Sequence, residues 1–430
     1  MAHLRDPIHG RIPVNSGELR VIDHRVYQRL RAIKQLGFTD LAFPGATHTR
    51  FVHSLGAMHL GGQMFDALFP EDDCPFDPLV RLRLRQTIRL SLMLHDVGHP
   101  PMSHAGESPM PLRSALDLEC FSPEERGRRA THEDFTVLLL TCSSLSGLLE
   151  EAFGDFGITP RQVAHLISGR FPDEAPAFVV GGVDYFPILS QLVSGEMDAD
   201  RMDYLQRDAH HTGVNYGRFD QDWLLENLCV HYADDNQAYL ALRHRAIFAF
   251  EDFLLSRHHM FLSVYHHYIP VNFDHMLARY YAEDPNAFEL PVDAEAYARV
   301  DDISLYSAIR RSQHEWARRI DGREVYHRLV ELNDDEVADI EQMSEALESA
   351  GVECFTSHNT SAISAYFGRG DHGNRPLFAV NRAAGQAMPV NAYSKLYERY
   401  AQPTRLSRIY CRPEHTHAAR DVVRPWLSGI

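Results

Sequence analysis

The feature that most constrains this chain is a long apolar run over residues 79–97 that stops abruptly. Apolar residues recur along it with the spacing of a helix face. Gly98 and then Pro100 and Pro101 follow, and these residue types end helices. The same periodicity predicts helices over residues 16–36, 48–69, 131–152, 160–168, 190–209, 246–268, 303–319 and 335–350. The fold is therefore predicted to be mainly helical.

The end of the apolar helix carries a concentrated set of ligating side chains. Residues 94–104 read L-H-D-V-G-H-P-P-M-S-H, which places His95 and Asp96 in the last predicted turn and His99 and His104 beyond it. An imidazole beside a carboxylate suits Mn²⁺, Fe, Co²⁺, Ni²⁺ or Mg²⁺ better than a structural zinc site. Histidines nearby can transfer protons near neutral pH. The segment predicts a metal-dependent hydrolytic centre, although one His-Asp pair among 26 histidines is also expected by chance.

Two other segments place polar side chains on one helical face. Arg50 stands three residues before His53, so a helix would let His53 bind a metal while Arg50 reaches a phosphate. Taken alone, His53 is more often structural. Asp200, Tyr204 and Asp208 are spaced by four and form a polar stripe. Such a stripe is either solvated or lines a polar cavity.

Two further pairs have helical spacing. Asp203 and Arg207 are four apart and are predicted to form an ordinary intrahelical ion pair. Arg257 and Tyr265 are eight apart on an aromatic-rich helix, which indicates a shared face. Aromatic-rich helices usually belong to the core, but a core does not accommodate an unpaired guanidinium.

Composition narrows the function classes. Hydrophobic residues make up 44% of the 430 residues, enough for a large core in two or three domains. The net charge of −17 disfavours sequence-independent binding of the phosphate backbone, so nucleic acid is not an expected partner. Six cysteines without C-x-x-C spacing indicate reduced thiols. With no apolar leader and no long apolar span, we expect a cytoplasmic protein without a membrane segment.

The ends of the chain differ from its helical middle. Residues 6–15 contain two prolines and a glycine and predict a short extended or hairpin element. After about residue 352, β-like runs such as C-F-T-S, L-F-A-V and R-I-Y-C alternate with turn residues, including the segment 368–376. We therefore expect a helical core over residues 1–330 and a small α/β C-terminal lobe over residues 331–430.

Several longer motifs occur in a fixed order. They are D-P-I-H-G at 6–10, Q-R-L-R-A-I-K-Q-L-G at 28–37, F-P-G-A-T-H-T-R-F-V-H-S-L-G at 43–56, the segment at 94–104, T-H-E at 131–133 and D-A-D-R-M-D-Y-L-Q-R-D-A-H-H-T-G at 198–213. With these motifs the chain resembles the HD-domain phosphohydrolases, specifically the deoxynucleoside triphosphate (dNTP) triphosphohydrolases related to the sterile-alpha-motif and HD-domain dNTP hydrolase. The resemblance spans nearly the whole chain and implies an HD-domain helical phosphohydrolase core.

The resemblance implies a metal centre and a catalytic set. The divalent ion, whether Mn, Mg, Fe, Co, Ni or Zn, would be held by His53, His95, Asp96 and Asp200. Asp200 also belongs to the implied catalytic set, with His99, His104 and His132 around the α-phosphate. In that set His104 gives a proton to the leaving nucleoside oxygen, a role that suits an imidazole.

The resemblance also implies contacts to the substrate. Those to the triphosphate map to Arg50, Arg201, Tyr204 and Arg257, and those to the sugar and base map to Gln35, Leu36, Asp208 and Tyr265. Guanidinium groups suit a polyanionic substrate because they form charge-assisted hydrogen bonds. Two residues depart from the family pattern: Arg201 stands in place of a lysine, and Phe261 stands where a histidine can approach the base.

Regulation and assembly are implied by resemblance alone. A regulatory site for an activating dNTP or GTP between subunits maps to Asp23, Gln28, Arg31 and Arg323. Helix-surface charge explains Asp23 and Arg31 equally well. A dimer or tetramer of the chain is expected.

Three hypotheses follow. The first is a metal-dependent dNTP triphosphohydrolase that converts a dNTP and water to a deoxynucleoside and triphosphate. The second is a phosphohydrolase of the same fold that acts on another nucleotide or phosphoester. The third is a nucleotide-sensing protein with vestigial catalysis, which the presence of every expected ligand and of the proton donor disfavours.

Overall fold

The computed structural model describes residues 2–333, 337–361, 375–381, 386–399 and 403–427, and most of them are helical. The helices are α1 Ser16–Asp23, α2 Arg25–Gln28, α3 Arg50–Leu68, α4 Pro78–Leu94, α5 His132–Cys142, α6 Ser144–Phe153, α7 Pro160–Ser168, α8 Phe186–Val193, α9 Ala199–Thr212, α10 Gln221–Glu226, α11 Ile247–Met260, α12 Tyr268–Glu283, α13 Ala294–Tyr297, α14 Asp302–Arg311, α15 Glu315–Gly322, α16 Val337–Ser349, α17 Val390–Tyr393, α18 Leu396–Arg399 and α19 Thr416–Leu427. The prediction of a mainly helical fold is confirmed.

The strands form small sheets at the edges of the helical body. They are β1 Ala2–Asp6, β2 Gly10–Val14, β3 Val179–Val180, β4 Val183–Asp184, β5 Leu228–Tyr232, β6 Ala238–Arg243, β7 His327–Asn333, β8 Cys354–Ser361, β9 Phe378–Asn381, β10 Gln386–Pro389 and β11 Thr404–Cys411. Strands β1 and β2 pair as an N-terminal hairpin, with Ala2 opposite Val14, so the hairpin begins four residues before the element predicted over residues 6–15. A four-stranded sheet has the order β10-β9-β6-β5, in which β9 runs parallel to β6. A three-stranded antiparallel sheet has the order β7-β11-β8.

Local signals set several helix ends. Helix α7 occupies the predicted residues because the Thr159 side chain accepts a hydrogen bond from the Gln162 N–H in a capping box, and Gly169 ends the helix with φ +70°. Five predicted helices were wrong as single elements. The one over 303–319 breaks between α14, which ends at Arg311, and α15, which begins at Glu315 after the extended backbone of His314. The one over 16–36 breaks at His24, whose backbone is extended, and 131–152 breaks at Ser143, whose side chain caps α6. The one over 190–209 breaks before Asp198, which caps α9.

The fifth break lies in the predicted helix over 246–268. Helix α11 ends at Met260, a π turn covers Phe261–Tyr265, and α12 starts only at Tyr268. A π turn holds one more residue per hydrogen-bonded ring than an α turn, so it shifts the faces on either side of it. Such turns often occur at functional sites.

Close helix packing around α3 builds the centre of the molecule. A Cβ at Gly61 would lie 1.9 Å from the Leu92 side chain on α4, and a Cβ at Gly56 would lie 2.0 Å from a carboxylate oxygen of Asp203 on α9. Both positions therefore accept only glycine at this distance. The continuous core around these helices is built from buried aliphatic and aromatic side chains.

The C-terminal part of the chain joins two different regions. Strands β7, β8 and β11 pack with α16 and α19 around their own apolar cluster, which contains Val330, Ile340 and Ile409. The segment with β9 and β10 instead pairs with β6 of the preceding helical region. The predicted β-like runs correspond to β8, β9 and β11, whereas residues 368–374 of the predicted turn lie outside the described residues. A C-terminal lobe over residues 331–430 therefore remains our proposal.

Candidate active site

Four predicted metal ligands converge in the structure. His53 lies in the first turn of α3, His95 caps the C-terminus of α4, Asp96 follows it, and Asp200 lies in the first turn of α9. His53 Nε2 is 3.0 Å from Asp200 Oδ1 and 3.6 Å from Asp96 Oδ2. His95 Nε2 is 3.2 Å from Asp96 Oδ1 and 3.5 Å from Asp200 Oδ1. Ligand atoms about 2.1 Å from one ion and at right angles to each other lie about 3 Å apart, so these spacings fit a common divalent ion.

The hydrogen bonds of both histidines orient them as ligands. His53 Nδ1 donates to Asp203 Oδ2 at 2.8 Å, and His95 Nδ1 donates to the Leu92 carbonyl oxygen at 2.7 Å. With the proton on Nδ1, each Nε2 presents its lone pair. Both Nε2 atoms are buried and have no hydrogen-bond partner among the described residues. Two buried lone pairs that face two carboxylates fit a divalent metal ion.

The electrostatics of this cluster favour a positive charge. Burial lowers the pKa of His53, but the carboxylates of Asp200 and Asp203 outweigh burial and raise that pKa to about 10. Burial raises the pKa of Asp96 and Asp200, but Arg50 beside Asp96 and the two histidines beside Asp200 hold both below their usual range. The carboxylates are therefore ionised, and a bound cation would compete with the proton for His53 Nε2.

Arg50 links the metal ligands to the following loop. Its Nη1 lies 2.5 Å from Asp96 Oδ2, and its Nε donates to Ser103 Oγ at 2.8 Å. The Ser103 hydroxyl in turn donates to the Lys34 carbonyl oxygen at 2.6 Å. Arg50 is almost fully buried, so its charge is held at a defined point beside the proposed metal site.

Long-range contacts hold the loop that carries His99 and His104. Arg29 donates to the carbonyl oxygens of residues 97 and 99 at 3.0 and 2.7 Å, and the Tyr297 hydroxyl donates to that of Gly98 at 2.7 Å. A Cβ at Gly98 would lie 2.1 Å from the His132 carbonyl oxygen. Gly98 therefore allows the start of α5 to approach the loop.

Three histidines from these segments surround one carboxylate that the sequence analysis missed. Glu107 Oε1 accepts from His104 Nδ1 at 3.0 Å and from His132 Nδ1 at 2.7 Å. The rings of His99 and His132 stack with centroids 3.8 Å apart. Burial raises the pKa of Glu107, but the hydrogen bonds from His104 and His132 hold it below its usual range. The H-x-x-E spacing after His104 was the available signal, because it puts both side chains within one turn.

Most of these groups line one cavity of about 470 Å³, a size typical of small-molecule sites, while His53 and Glu107 are not part of its wall. Its wall contains these predicted site residues: Gln35, Leu36, Arg50, His95, Asp96, His99, His104, His132, Asp200, Tyr204, Asp208 and Tyr265. Arg50, His132 and Asp200 come from the first turns of α3, α5 and α9. Helix N-termini carry partial positive charge, which favours an anionic ligand.

The polar stripe on α9 lines this cavity rather than bulk solvent. Asp208 Oδ2 accepts a hydrogen bond from the Tyr265 hydroxyl at 2.8 Å, and Asp208 Oδ1 lies 2.8 Å from His48 Nε2. The π turn delivers Tyr265 to this position. Gln35 Oε1 is buried and has no hydrogen-bond partner among the described residues. This end of the cavity therefore offers both a fixed carboxylate and a free acceptor.

Two predicted phosphate contacts lie beside the cavity rather than in its wall. Arg201 Nε lies 3.5 Å from Asp198 Oδ2, and the Arg257 guanidinium lies 4.9 Å from the centre of the Phe261 ring. Phe261 itself lines the cavity. Burial raises the pKa of Tyr204, while the nearby charges of Arg257 and Arg201 act against it. Both arginines are therefore close enough to act on the cavity electrostatically.

Asp274 on α12 is a second cavity residue that the sequence analysis missed. Its carboxyl lines the same cavity as Gln35 and Phe261, and no hydrogen bond or ion pair joins it to another described residue. Burial raises the pKa of Asp274 to about 7. Its position on a mostly apolar helix face carried no local signal.

The predicted regulatory residues are only partly brought together. Arg31 and Arg323 line a second cavity of about 880 Å³, together with Lys34, Arg310 and Arg311. Gln28 does not line this cavity, but its Oε1 accepts a hydrogen bond from Arg31 Nε at 2.8 Å, whereas Asp23 is exposed and lies outside the cavity wall.

Curated proteins similar to this chain come from all three domains of life. It is 34% identical over 268 residues to the uncharacterized protein YwfO of Bacillus subtilis, covering 61% of this chain and 51% of the relative. It is 29% identical over 330 residues to an uncharacterized protein of Methanocaldococcus jannaschii, covering 77% and 60%. It is 26% identical over 343 residues to the human deoxynucleoside triphosphate triphosphohydrolase SAMHD1, covering 77% and 50%. The chain thus spans about half to three fifths of these relatives.

Two solved structures and one family model are also similar to this chain. A hypothetical protein from Aquifex aeolicus matches with a TM-score of 0.74 and 25% identity, covering 98% of this chain and 99% of that one. A phosphohydrolase from Bacteroides thetaiotaomicron matches in fold with a TM-score of 0.66 and 22% identity, covering 96% and 100%. The family model of the HD associated region matches residues 219–354. Within the described residues, no single helix has the length and apolar composition to cross a bilayer; only the bent pair His132–Cys142 and Ser144–Phe156, taken together, meets that test.

Proposed function

We propose that this chain, whose similarities support an HD-domain, dNTPase-like family, is a metal-dependent dNTP triphosphohydrolase. One observation carries the proposal. Three of the four proposed metal ligands, a buried arginine, three histidines and a glutamine oxygen without a hydrogen-bond partner among the described residues line the same cavity, and Nε2 of the fourth ligand, His53, lies 3.0 Å from Asp200 Oδ1. Such a cavity can hold a triphosphate at one end and a sugar and base at the other.

The metal would be held by His53, His95, Asp96 and Asp200. A divalent ion bound there would lower the pKa of a water molecule and polarise an oxygen of the α-phosphate. The contribution of the chain is to orient the ligands and to hold the phosphate. Arg50, fixed between Asp96 and Ser103, presents a guanidinium beside that phosphate.

His104 would supply the proton for the leaving group. Its Nδ1 is engaged by Glu107, so its Nε2 is the atom that can donate to the 5′-oxygen. Water attacks the α-phosphorus, the bond from phosphorus to the 5′-oxygen breaks, and the products are a deoxynucleoside and triphosphate. His99 and His132, stacked on each other, would contact the α-phosphate.

The sugar and base would occupy the other end of the cavity. The acceptor Gln35 Oε1 and the carboxylate of Asp208 suit a 3′-hydroxyl, which both donates and accepts hydrogen bonds. Tyr265, held on Asp208, would crowd a 2′-hydroxyl and so favour deoxyribose. Leu36 and Phe261 offer apolar surface to the base.

The proposal also includes activation by a second nucleotide and assembly of the chain into a dimer or tetramer. A second nucleotide, a dNTP or GTP, would bind at the arginine-lined cavity that contains Arg31 and Arg323, because phosphates pair well with guanidinium groups. In a dimer or tetramer of this chain a partner subunit would complete that cavity. Arg323→Ala should then reduce activation by a second nucleotide and leave the unactivated rate unchanged.

Product analysis tests the proposed reaction. The protein is incubated with each dNTP and Mn²⁺, with and without a second dNTP or GTP, and the products are resolved by ion-pair chromatography. Deoxynucleoside plus triphosphate would support the proposal, and Asp200→Ala serves as the inactive control. A monophosphate plus pyrophosphate would place the cleavage elsewhere and overturn it. Nucleotides left intact with every metal would favour a different substrate or a sensor.

A further inference from the structure

The D-P-I-H-G segment at residues 6–10 forms the turn of the N-terminal hairpin, and the proposed mechanism does not use it. We propose that this segment is part of the metal centre: through Asp203 it fixes His53 in the orientation and tautomer that a metal ligand needs. The inference rests on the proposed metal site and adds positioning residues that never touch the ion or the substrate.

Asp203 is the point where this segment meets the metal ligands. It is fully buried on α9, and its Oδ2 accepts from His53 Nδ1 at 2.8 Å and from Arg207 Nε at 2.9 Å. Its Oδ1 accepts from His9 Nε2 at 2.6 Å and from Arg207 Nη2 at 2.9 Å. Four donors therefore saturate the carboxylate, so it cannot rotate away from His53.

The N-terminal hairpin contributes Asp6 and His9 to this hydrogen-bond network. Arg207 is fully buried, and its Nη1 donates to Asp6 Oδ2 at 2.8 Å. Asp6 Oδ1 accepts from the backbone N–H of Ile8 and His9 at 2.9 and 2.8 Å, which shapes the turn and aims the His9 ring at Asp203. The chain of contacts thus runs from the hairpin through Arg207 and Asp203 to a ligand ring. Asp203 and Arg207 form the predicted i, i+4 ion pair, but it is not an ordinary surface pair.

The network allows only one orientation and one neutral tautomer of His53. Because Asp203 offers only acceptor oxygens, His53 must carry its proton on Nδ1, and Nε2 then keeps the lone pair that a metal ion requires. In Asp203→Asn one of these oxygens becomes an NH₂ group that faces donors. If that group faces His53, the proton moves to Nε2 and blocks the ligand position.

Metal affinity, measured without substrate, tests the inference. Binding of Mn²⁺ to the full chain is followed by calorimetry for the wild type, Asp203→Asn and His9→Phe, which keeps a ring and removes the donor. The control is Glu18→Gln, since Glu18 forms an equally buried ion pair with Arg89, at 2.6 Å, that contacts none of the four proposed ligands. Melting temperatures in EDTA report the metal-free fold.

We expect the Mn²⁺ dissociation constant to rise roughly 10–100-fold in Asp203→Asn, as for other residues that orient metal ligands. It should rise by a smaller factor in His9→Phe and stay unchanged in Glu18→Gln. Unchanged affinity in a folded Asp203→Asn or, if that variant does not fold, in His9→Phe overturns the inference, as does an equal loss in Glu18→Gln.

The outcome is separable from that of the proposed function. A wild type that binds Mn²⁺ but hydrolyses no dNTP refutes the function and still allows this test. A wild type that hydrolyses dNTPs while Asp203→Asn and His9→Phe bind Mn²⁺ normally refutes only the positioning role.

Discussion

Asp274 should make the stability of this protein depend on pH. Its carboxyl lies in the cavity without a hydrogen bond or ion pair to any described residue, and burial raises its pKa to about 7 from the usual 3.8. Between those two values the folded state binds more protons than the unfolded state. The free energy of unfolding therefore falls as pH rises through this window, and the loss is complete above about pH 7. Asp274→Asn removes the titrating group and with it this loss.

The size of the effect follows from the two pKa values. One unit of pKa corresponds to about 1.4 kcal/mol, so full ionisation costs the fold up to about 4 kcal/mol. At pH 5 the unfolded carboxyl is already ionised, so part of that cost is present there. Because the cavity gives water some access to Asp274, we expect Asp274→Asn to gain about 2 kcal/mol over the wild type between pH 5 and pH 8.

Urea unfolding at a series of pH values measures this gain as the difference between the two proteins. Asp155→Asn, at an exposed position, controls for removal of a surface carboxyl. A difference between Asp274→Asn and the wild type that stays constant within about 0.5 kcal/mol from pH 5 to pH 8 would refute the reasoning. A gain confined to high pH would mean that the cavity keeps a carboxyl at the expense of stability, which is common at functional sites.

The remaining predictions concern the site and its packing. Asp200→Ala should abolish turnover while circular dichroism shows an intact fold, and full activity would contradict the metal-site proposal. His104→Ala should lower kcat by roughly 10²–10⁴-fold in steady-state kinetics; a change confined to KM would reject its role as the acid. Gly56→Ala should lower the melting temperature through a loss of about 1–3 kcal/mol, because its Cβ would lie 2.0 Å from Asp203 Oδ1. Gly147→Ala, whose Cβ would meet nothing within 4 Å, should not destabilise the protein, and an equal loss in both would refute the steric argument.

Local signals were enough for many elements of the fold. Helix α7 begins and ends at the predicted residues because a Thr-Pro start and a glycine stop act within one turn. Prolines and a glycine located the turn of the N-terminal hairpin but not its first strand, and α4 ends at Leu94, directly before the His-Asp pair that was predicted in its last turn. The breaks at Ser143 and before Asp198 were missed, since an apolar pattern that continues through a capping residue looks like one helix.

For the candidate site, the motifs located most of the residues that the structure gathers into one cavity. The four proposed metal ligands converge, and so do Gln35, Arg50, Tyr204 and Asp208. Three predicted active-site residues do not line the cavity: Arg201, Arg257 and His53, whose Nε2 lies 3.0 Å from Oδ1 of the cavity residue Asp200. A sequence spacing specifies a helix face, but it does not specify how far a long side chain reaches across a gap.

The sequence by itself therefore determined the helices that have clear start and stop signals, the residue types that could bind a metal ion, and the order of the motifs. Only the tertiary structure decided that Asp203 accepts hydrogen bonds from both His53 and His9, that Glu107 lies between His104 and His132, and that Asp274 has no partner among the described residues. The physical reason is that each of these roles depends on side chains far apart in the chain. Residues 9 and 203, for example, approach to 2.6 Å only because α3 packs against both α9 and strand β2 of the hairpin.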